Sequence, residues 1–185
     1  PTVSGYEYRL VTYIVMWARR NNINYKFDDY GNVYLTKGEI EKGEYYPCVT
    51  SHLDTVQTEQ TTWAQVGLPL ELKTRKNKSG NHEWYVNETG IGADCKSGVV
   101  IALSLFSHCD KLKACFFLEE EIGCQGSKKL DTRWFDDVGY VIGWDSPELN
   151  RAAWSCSGVP LFDKKFFTEN IQAVCEKHGV TVFNS

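Results

Sequence analysis

The sequence predicts an α/β fold with a mixed, mostly parallel central sheet flanked by helices. Apolar, β-branched segments of strand length alternate along the chain with segments whose apolar residues repeat at helical spacing. Three of the strand segments end in acidic or histidine side chains, at His52, at 119–121 and at Asp145. Because ligand sites in such sheets lie at the carboxyl ends of the strands, we expect these side chains to meet in one site.

The first element is predicted to be an amphipathic helix that runs to about Arg20. Ser4 followed by Glu7 matches a capping box, with Ser4 as the N-cap residue. An apolar stripe follows at helical spacing and is expected to face the core: Leu10, Ile14 and Trp17.

The remaining elements follow from the same patterns of apolar spacing and turn residues. In chain order we expect a turn over 28–32, strands over 32–38 and 47–54, a hairpin tip over 76–83, a loop over 90–98, a buried helix over 99–108, a strand over 113–121, a short helix over 126–135, a strand over 138–145, a helix over 162–179 that ends at Gly179, and a final strand from 180.

Composition bounds the class of protein. A chain of 185 residues can form one substantial core, so we expect a single domain over 1–185. The formal charge is −4 with no basic block, which argues against nucleic-acid binding. No apolar run approaches the ~20 residues that cross a bilayer, and the first residues lack the pattern of a signal peptide. The sequence does not indicate whether the chain forms oligomers.

The seven cysteines are scattered and include no C-x-x-C pair. Several lie inside apolar runs, as Cys115 does in "KACFFL". We therefore expect free thiols that are mostly small buried groups, in a reducing compartment such as the cytoplasm.

The segment "VTSHLDTV" places two polar side chains at the end of a strand. Alternate residues of an extended chain point to the same side, so His52 and Asp54 can face one site while Leu53 packs away from it. A carboxylate beside the second ring nitrogen commonly orients a metal-binding histidine. A turn aspartate beside a surface histidine is the other interpretation of this short pattern.

Three further acidic positions allow both a metal-binding and an ordinary interpretation. Asp94 in "GIGADCKSGV" could bridge two cations or cap the following helix. The acids 119–121 could form an exposed turn, or could supply a metal ligand together with an unligated carboxylate that acts as a base. Asp145 in "VIGWD" could be a ligand or could cap the turn at Pro147.

Taken together and in this order, "SHLDTV", "GIGADCKSGV", "EEEIG" and "VIGWD" resemble the co-catalytic zinc peptidase family that includes peptidase T and the glutamate carboxypeptidase type. The resemblance implies a zinc-exopeptidase-like three-layer sandwich and a role for each matching residue. The implied roles are His52 and Asp145 on the first zinc, Asp54 orienting His52, Asp94 bridging both zincs, Glu121 on the second zinc, and Glu120 as general base. The chain departs from the family pattern at Cys95, where an acid or amide is common, and carries Glu119 before the glutamate pair.

The resemblance implies a zinc-dependent exopeptidase that hydrolyses short peptides and resembles an aminopeptidase. Two zinc ions, with cobalt or manganese as substitutes, would share a water whose proton Glu120 takes. An N-acyl-amino-acid or other amide hydrolase, or a metal-binding but inactive homologue, is the alternative. A cysteine hydrolase built on Cys95 is disfavoured, because His108 would point elsewhere.

The family also implies two features that the sequence does not show. Relatives carry a lid or dimerisation domain inserted after the position of Asp145, and only 40 residues follow Asp145 here. A further histidine should join Glu121 on the second zinc, but the only candidate, His178, lies at the end of a predicted helix. We therefore expect that there is no lid, that His178 is not a ligand, that the chain is incomplete, and that the second zinc binds weakly.

Overall fold

The computed structural model describes residues 2–56, 73–85, 92–145, 151–156 and 159–184. The chain divides into two compact units, Pro1–Asp145 and Ser146–Ser185, and each is described by itself. Within the described ranges, no helix combines the length and apolar character needed to span a membrane.

The described residues of the first unit contain seven strands in two sheets. In chain order they are Asn24–Phe27 (β1), Val33–Lys37 (β2), Tyr46–His52 (β3), Lys73–Lys76 (β4), His82–Tyr85 (β5), Leu112–Phe117 (β6) and Val138–Gly143 (β7). β4 and β5 pair as the hairpin that the sequence predicts, whereas β1 was not predicted. The other five strands form the central sheet in the order β1-β2-β6-β3-β7.

The pairing of these five strands confirms the predicted fold class. β3 runs parallel to both β6 and β7. β2 is antiparallel to β6 and to β1, so four of the five strands point in the same direction. The carboxyl ends of β3, β6 and β7 therefore lie side by side at one edge of the sheet, which is where the polar positions follow.

Helices cover both faces of the central sheet. α1 (Tyr8–Arg20) and α2 (Ala93–Leu105) pack on one face, where one core cluster contains Ile14, Val49 and Phe116. A 3-10 helix, Thr132–Phe135, follows the short helix α3 (Gln125–Lys128), and its Trp134 packs in a second cluster on the other face. Residues of β2, β3 and β6 alternate between the two clusters, as the pleat requires.

The start of α1 differs from the capping box that the sequence predicts. The helix begins at Tyr8 with Glu7 in the N-cap position, and no side chain caps it. Ser4 instead donates a hydrogen bond to Asp54, and Glu7 accepts one from the backbone of Glu119. The predicted apolar stripe is confirmed, because Ile14 is fully buried and Leu10 and Trp17 pack against the same core cluster.

α2 confirms a predicted helix but is less buried than expected. Val99 and Leu103 are buried, whereas Val100 is 67% exposed and Ile101 is 38% exposed. Part of the loop predicted over 90–98 is present at the start of α2, because Asp94 and Cys95 have non-helical backbone angles. Regular helical geometry therefore begins only after Cys95.

The second unit is small. It contains Arg151–Cys156 (β8), Val159–Pro160 (β9), Lys164–Phe166 (α4), a π-helical segment Phe167–Gln172, Ala173–Lys177 (α5) and Thr181–Asn184 (β10). β10 pairs in parallel with β8, and β9 pairs antiparallel with β8. The predicted helix and final strand are confirmed, and Gly179 takes the expected positive φ directly after His178.

The described cysteines match the expectation of free thiols. None of the six forms a disulfide, and Cys48, Cys95, Cys115 and Cys175 are buried. Cys109 and Cys124 are partly exposed.

Candidate metal centre

His52 and Asp54 form the buried base of the candidate site. Both side chains are almost completely buried, at the carboxyl end of β3. Nδ1 of His52 lies 3.1 Å from the backbone oxygen of Asp54 and 3.3 Å from its Oδ1. Leu53 packs away from them in the core, as predicted. The second ring nitrogen, Nε2, therefore points to the opposite side and is left for other partners.

The carboxylate of Asp54 also holds the turn that follows β6. Its Oδ1 accepts the backbone N–H of Glu120 at 2.9 Å, and its Oδ2 accepts that of Glu121 at 3.0 Å. Oδ2 accepts the Ser4 hydroxyl as well, at 2.7 Å. A carboxylate with this many donors is an orienting group rather than an available ligand.

The charges in this buried pair support each other. Burial would raise the pKa of Asp54, but its hydrogen bonds with His52, Ser4 and the turn lower it to about 2. Burial would lower the pKa of His52, but Asp54, Asp145 and Asp94 together raise it to about 9. The base of the site therefore carries an ionised carboxylate that fixes the orientation of the ring.

Three carboxylates approach Nε2 of His52. Asp94 Oδ1 lies 3.0 Å away, Asp145 Oδ1 lies 3.6 Å away and Glu120 Oε2 lies 4.0 Å away. They come from the start of α2, from the end of β7 and from the turn after β6, as the strand order requires. The assigned helix begins after Gly92, so Asp94 lies within its first turn, where its backbone angles are not helical. The turn at Pro147 lies outside the described residues.

Two overlapping groups of side chains could hold a metal ion. In each group, one potential ligand atom per residue lies within 4.8 Å of every other. The first group contains His52, Asp94, Cys95 and Asp145, and the second contains His52, Glu120 and Glu121. The structure thus brings together all six residues that the sequence singled out, while their individual roles remain predictions.

The crowding of carboxylates fits a divalent cation. Burial, and then the neighbouring Asp94, raise the pKa of both Asp145 and Glu121. Carboxylates with raised pKa values gain from a positive charge between them, which stabilises their ionised forms. Imidazole nitrogen and carboxylate oxygen are common ligands of zinc, so the residues present fit this ion.

The sequence did not predict the contacts of several residues that support the turn after β6. Glu119 has a φ of +53°, a conformation that is uncommon for a residue with a side chain. Its N–H donates to Glu7 at 3.0 Å, and its carboxylate accepts the hydroxyl of Tyr30. Asn32, which is fully buried, accepts the N–H of Leu118 at 3.1 Å. These contacts join distant parts of the chain, so no local pattern reveals them.

Two cysteines and one lysine lie beside the carboxylates. The thiol of Cys95 donates to the backbone oxygen of Trp144, and that of Cys124 donates to Glu120 Oε1 at 3.2 Å. Burial raises the pKa of Cys95, which is the opposite of what a cysteine nucleophile needs. Burial also lowers the pKa of Lys96 to about 8, although the neighbouring carboxylates oppose this shift.

The fold is similar to that of peptidases of known structure. Aminoacylhistidine dipeptidase from Vibrio alginolyticus aligns with a TM-score of 0.65 and 22% identity, over 84% of this chain and 32% of that chain. A tripeptidase from Staphylococcus aureus aligns with a TM-score of 0.62 and 18% identity, over 83% and 42%. Aminopeptidase PepT from Bacillus cereus aligns with a TM-score of 0.62 and 19% identity, over 83% and 42%.

These likenesses confirm the expected fold. The chain spans less than half of the length of each of the three peptidases. No protein-family model matches the sequence, and no curated protein matches it.

Proposed function

We propose that this chain is the metal-binding catalytic part of a zinc-dependent exopeptidase that acts on short peptides. One observation carries the proposal. A buried, oriented histidine and four carboxylates converge at the carboxyl ends of three adjacent strands, in a fold shared with peptidases. In sheets of this kind, that edge is the usual place for a ligand site.

The resemblance to the co-catalytic zinc peptidases assigns the metal ligands, and the clustering of these side chains supports the assignment. His52 and Asp145 would hold the first zinc, Glu121 the second, and Asp94 would bridge the two through its two oxygens. Asp54 would stay outside the ligand set, since its oxygens already accept hydrogen bonds from the turn and from Ser4. Zinc is a Lewis acid that polarises a scissile carbonyl and lowers the pKa of water, and cobalt or manganese could replace it.

Glu120 would act as the general base. Its Oε2 faces the centre, 4.0 Å from Nε2 of His52, and its Oε1 accepts the Cys124 thiol. Its backbone is fixed through Asp54, so the carboxylate is held without being needed as a ligand. Glu120 would take a proton from the attacking water and pass it to the leaving amine.

The proposed substrates are short peptides, trimmed from the amino end. The carboxylates at the rim are open to solvent, with Asp94 73% exposed and Asp145 52% exposed, so a flexible chain end can reach them. The similar proteins are a dipeptidase, a tripeptidase and an aminopeptidase, which favours this substrate class. The free thiols favour the cytoplasm as the compartment.

A panel of free, N-blocked and C-blocked di- and tripeptides tests the proposal. At zinc concentrations that also fill the weaker second site, we expect the chain to release the first residue of free and C-blocked peptides, and a chelator to abolish this activity. Cleavage of N-acyl substrates alone would favour an amide hydrolase instead. Bound zinc without turnover of any substrate would contradict catalysis and leave a metal-binding, inactive homologue.

A further inference from the structure

Cys95 is the one sulfur ligand among the two described groups that could hold a metal ion. Its side chain is 1% exposed, and its Sγ lies within 4.8 Å of ligand atoms of His52, Asp94 and Asp145. We propose that Cys95 binds, as a thiolate, the metal ion that His52 and Asp145 hold. This inference rests on the metal binding in the proposed function but not on peptide hydrolysis.

The position of the thiol is fixed by the three elements that form the site. Ser51, in β3, donates its hydroxyl to the backbone oxygen of Cys95 at 2.8 Å. The Cys95 thiol itself contacts the backbone oxygen of Trp144, the residue that precedes Asp145 after β7. Sγ thus lies between the end of β3, the start of α2 and the end of β7, where the first group of ligand atoms converges.

Gly98 leaves the space that Sγ occupies. A Cβ atom at this position would lie 2.8 Å from Cys95 Sγ, 2.9 Å from Ser51 Oγ and 2.9 Å from Trp144 Cβ. A side chain there would push the sulfur away from its place beside the carboxylates. The glycine in "CKSG" therefore allows α2 to approach β3 closely enough to place the thiol in the group.

Metal binding would replace the S–H bond of Cys95 with a bond from sulfur to the metal ion. The thiol gives up its proton to solvent and its contact with the Trp144 oxygen, and a sulfur lone pair forms the bond to the metal. With Cys95, the first group has four candidate ligands of the nitrogen, oxygen and sulfur types that zinc prefers in tetrahedral sites. A thiolate also favours zinc or cobalt over manganese, because hard cations prefer oxygen ligands.

Three other cysteines of the described residues differ from Cys95 in that none lies in a potential metal-binding group. Cys48 and Cys115 belong to the core cluster that also contains Trp134 and to neither of the two ligand groups. They are small buried groups of the ordinary kind. Cys124 contacts the proposed base Glu120 but is also outside both groups, which makes it the matched control for Cys95.

Cobalt substitution tests the inference without measuring activity. The chain, its Cys95→Ser variant and its Cys124→Ser variant are each loaded with one equivalent of Co²⁺, and their absorption spectra are compared. We expect a thiolate-to-cobalt charge-transfer band in the near ultraviolet for the wild type and for Cys124→Ser. The band should be lost in Cys95→Ser, while the visible d–d bands of bound cobalt remain.

The outcomes separate this inference from the proposed function. Visible d–d bands without a charge-transfer band in the wild type would overturn the sulfur ligand and leave the histidine–carboxylate site intact. No bound cobalt in any variant would overturn both. If Cys95→Ser does not fold, X-ray absorption of the zinc-loaded wild type and Cys124→Ser decides. Sulfur at about 2.3 Å from zinc in both supports the inference, and oxygen and nitrogen neighbours alone overturn it.

Discussion

The two ends of the paired strands β3 and β6 both bury a charged side chain, but in different ways. At the amino end of β6, Lys113 is 5% exposed and donates to the backbone oxygen of Trp134 at 2.7 Å. It also pairs with Asp137, and its Nζ lies 4.4 Å from the Trp134 ring centroid and 5.2 Å from that of Tyr46. One positive charge meets one carboxylate, so this end is balanced by the protein itself.

At the carboxyl end the charges are not balanced in this way. Asp54 is paired with His52 and accepts hydrogen bonds from the turn, much as Lys113 has its own partners at the other end. Around the outer face of the same imidazole, however, the carboxylates of 94, 120, 121 and 145 crowd together. A buried charge that contributes to stability is paired with an opposite charge of the protein. An excess of negative charge at the end of the strands instead indicates a site for a cation.

The largest expected effect separates catalysis from folding at the carboxyl end. Glu120→Gln should keep the fold and the zinc content but lower kcat by at least ~100-fold, because it removes the general base. Turnover on a tripeptide and elemental analysis measure the two quantities. Glu119→Gln is the matched control, since the Glu119 side chain contacts Tyr30, and it should retain most of the activity. Near-normal turnover of Glu120→Gln would refute the assignment.

The next largest effect is expected at Asp54, which both orients His52 and holds the backbone of the turn after β6. Asp54→Asn should weaken zinc binding or activity by ~10–100-fold, because the ring of His52 and the turn backbone lose their carboxylate. His52→Ala and Asp145→Ala should lower zinc stoichiometry more strongly, since each removes a direct ligand. Complete loss of zinc in Asp54→Asn, with zinc retained in His52→Ala, would reverse this division of roles.

At the opposite end, the same kind of change should affect stability alone. Lys113→Met should lower the free energy of unfolding by about 1–3 kcal/mol, because the buried oxygen of Trp134 loses its donor. Denaturant unfolding measures this change, and zinc titration should give the wild-type affinity. A weaker zinc affinity in Lys113→Met would show that the two ends are coupled and would break the comparison.

An effect of similar size is expected from packing beside the site. Gly98→Ala should cost about 1–3 kcal/mol of stability, because its Cβ would meet Cys95, Ser51 and Trp144 at less than 3.0 Å. It should also reduce the charge-transfer band of bound cobalt, as the sulfur is displaced. Gly143→Ala is the control, since its nearest neighbour is Thr50 Oγ1 at an ordinary 3.4 Å. Equal losses in both variants would argue against a special role for Gly98.

The smallest effect is expected in the second unit. His178 is exposed directly after α5, where it is typical of a surface residue near a helix end. His178→Ala should change neither zinc stoichiometry nor turnover. Loss of one tightly bound zinc in this variant would instead identify His178 as a metal ligand.

The sequence alone determined the fold class and the residues that meet at one edge of the sheet. Alternation within strands and the helical spacing of apolar residues are local signals, and they predicted β2, β3, β6, β7, α1 and α2. The strand ends carried the polar positions, so His52, Asp145 and the acids of 119–121 could be placed together before any contact was known. The short strands β1, β8 and β9 carry weaker patterns and were not predicted.

The tertiary structure decided which of the polar residues support the others. Ser4 and Glu7 have the residue types and the spacing of a capping box, yet they bind Asp54 and the backbone of Glu119. Both uses need the same donors and acceptors, so the sequence could not distinguish them. The hydrogen bond from the Glu120 backbone to Asp54 spans 66 positions, and the contacts of Lys113 with Trp134 and of Cys95 with Trp144 span 21 and 49 positions. Such contacts exist only after the sheet has formed, because it is the pairing of the strands that brings their ends together.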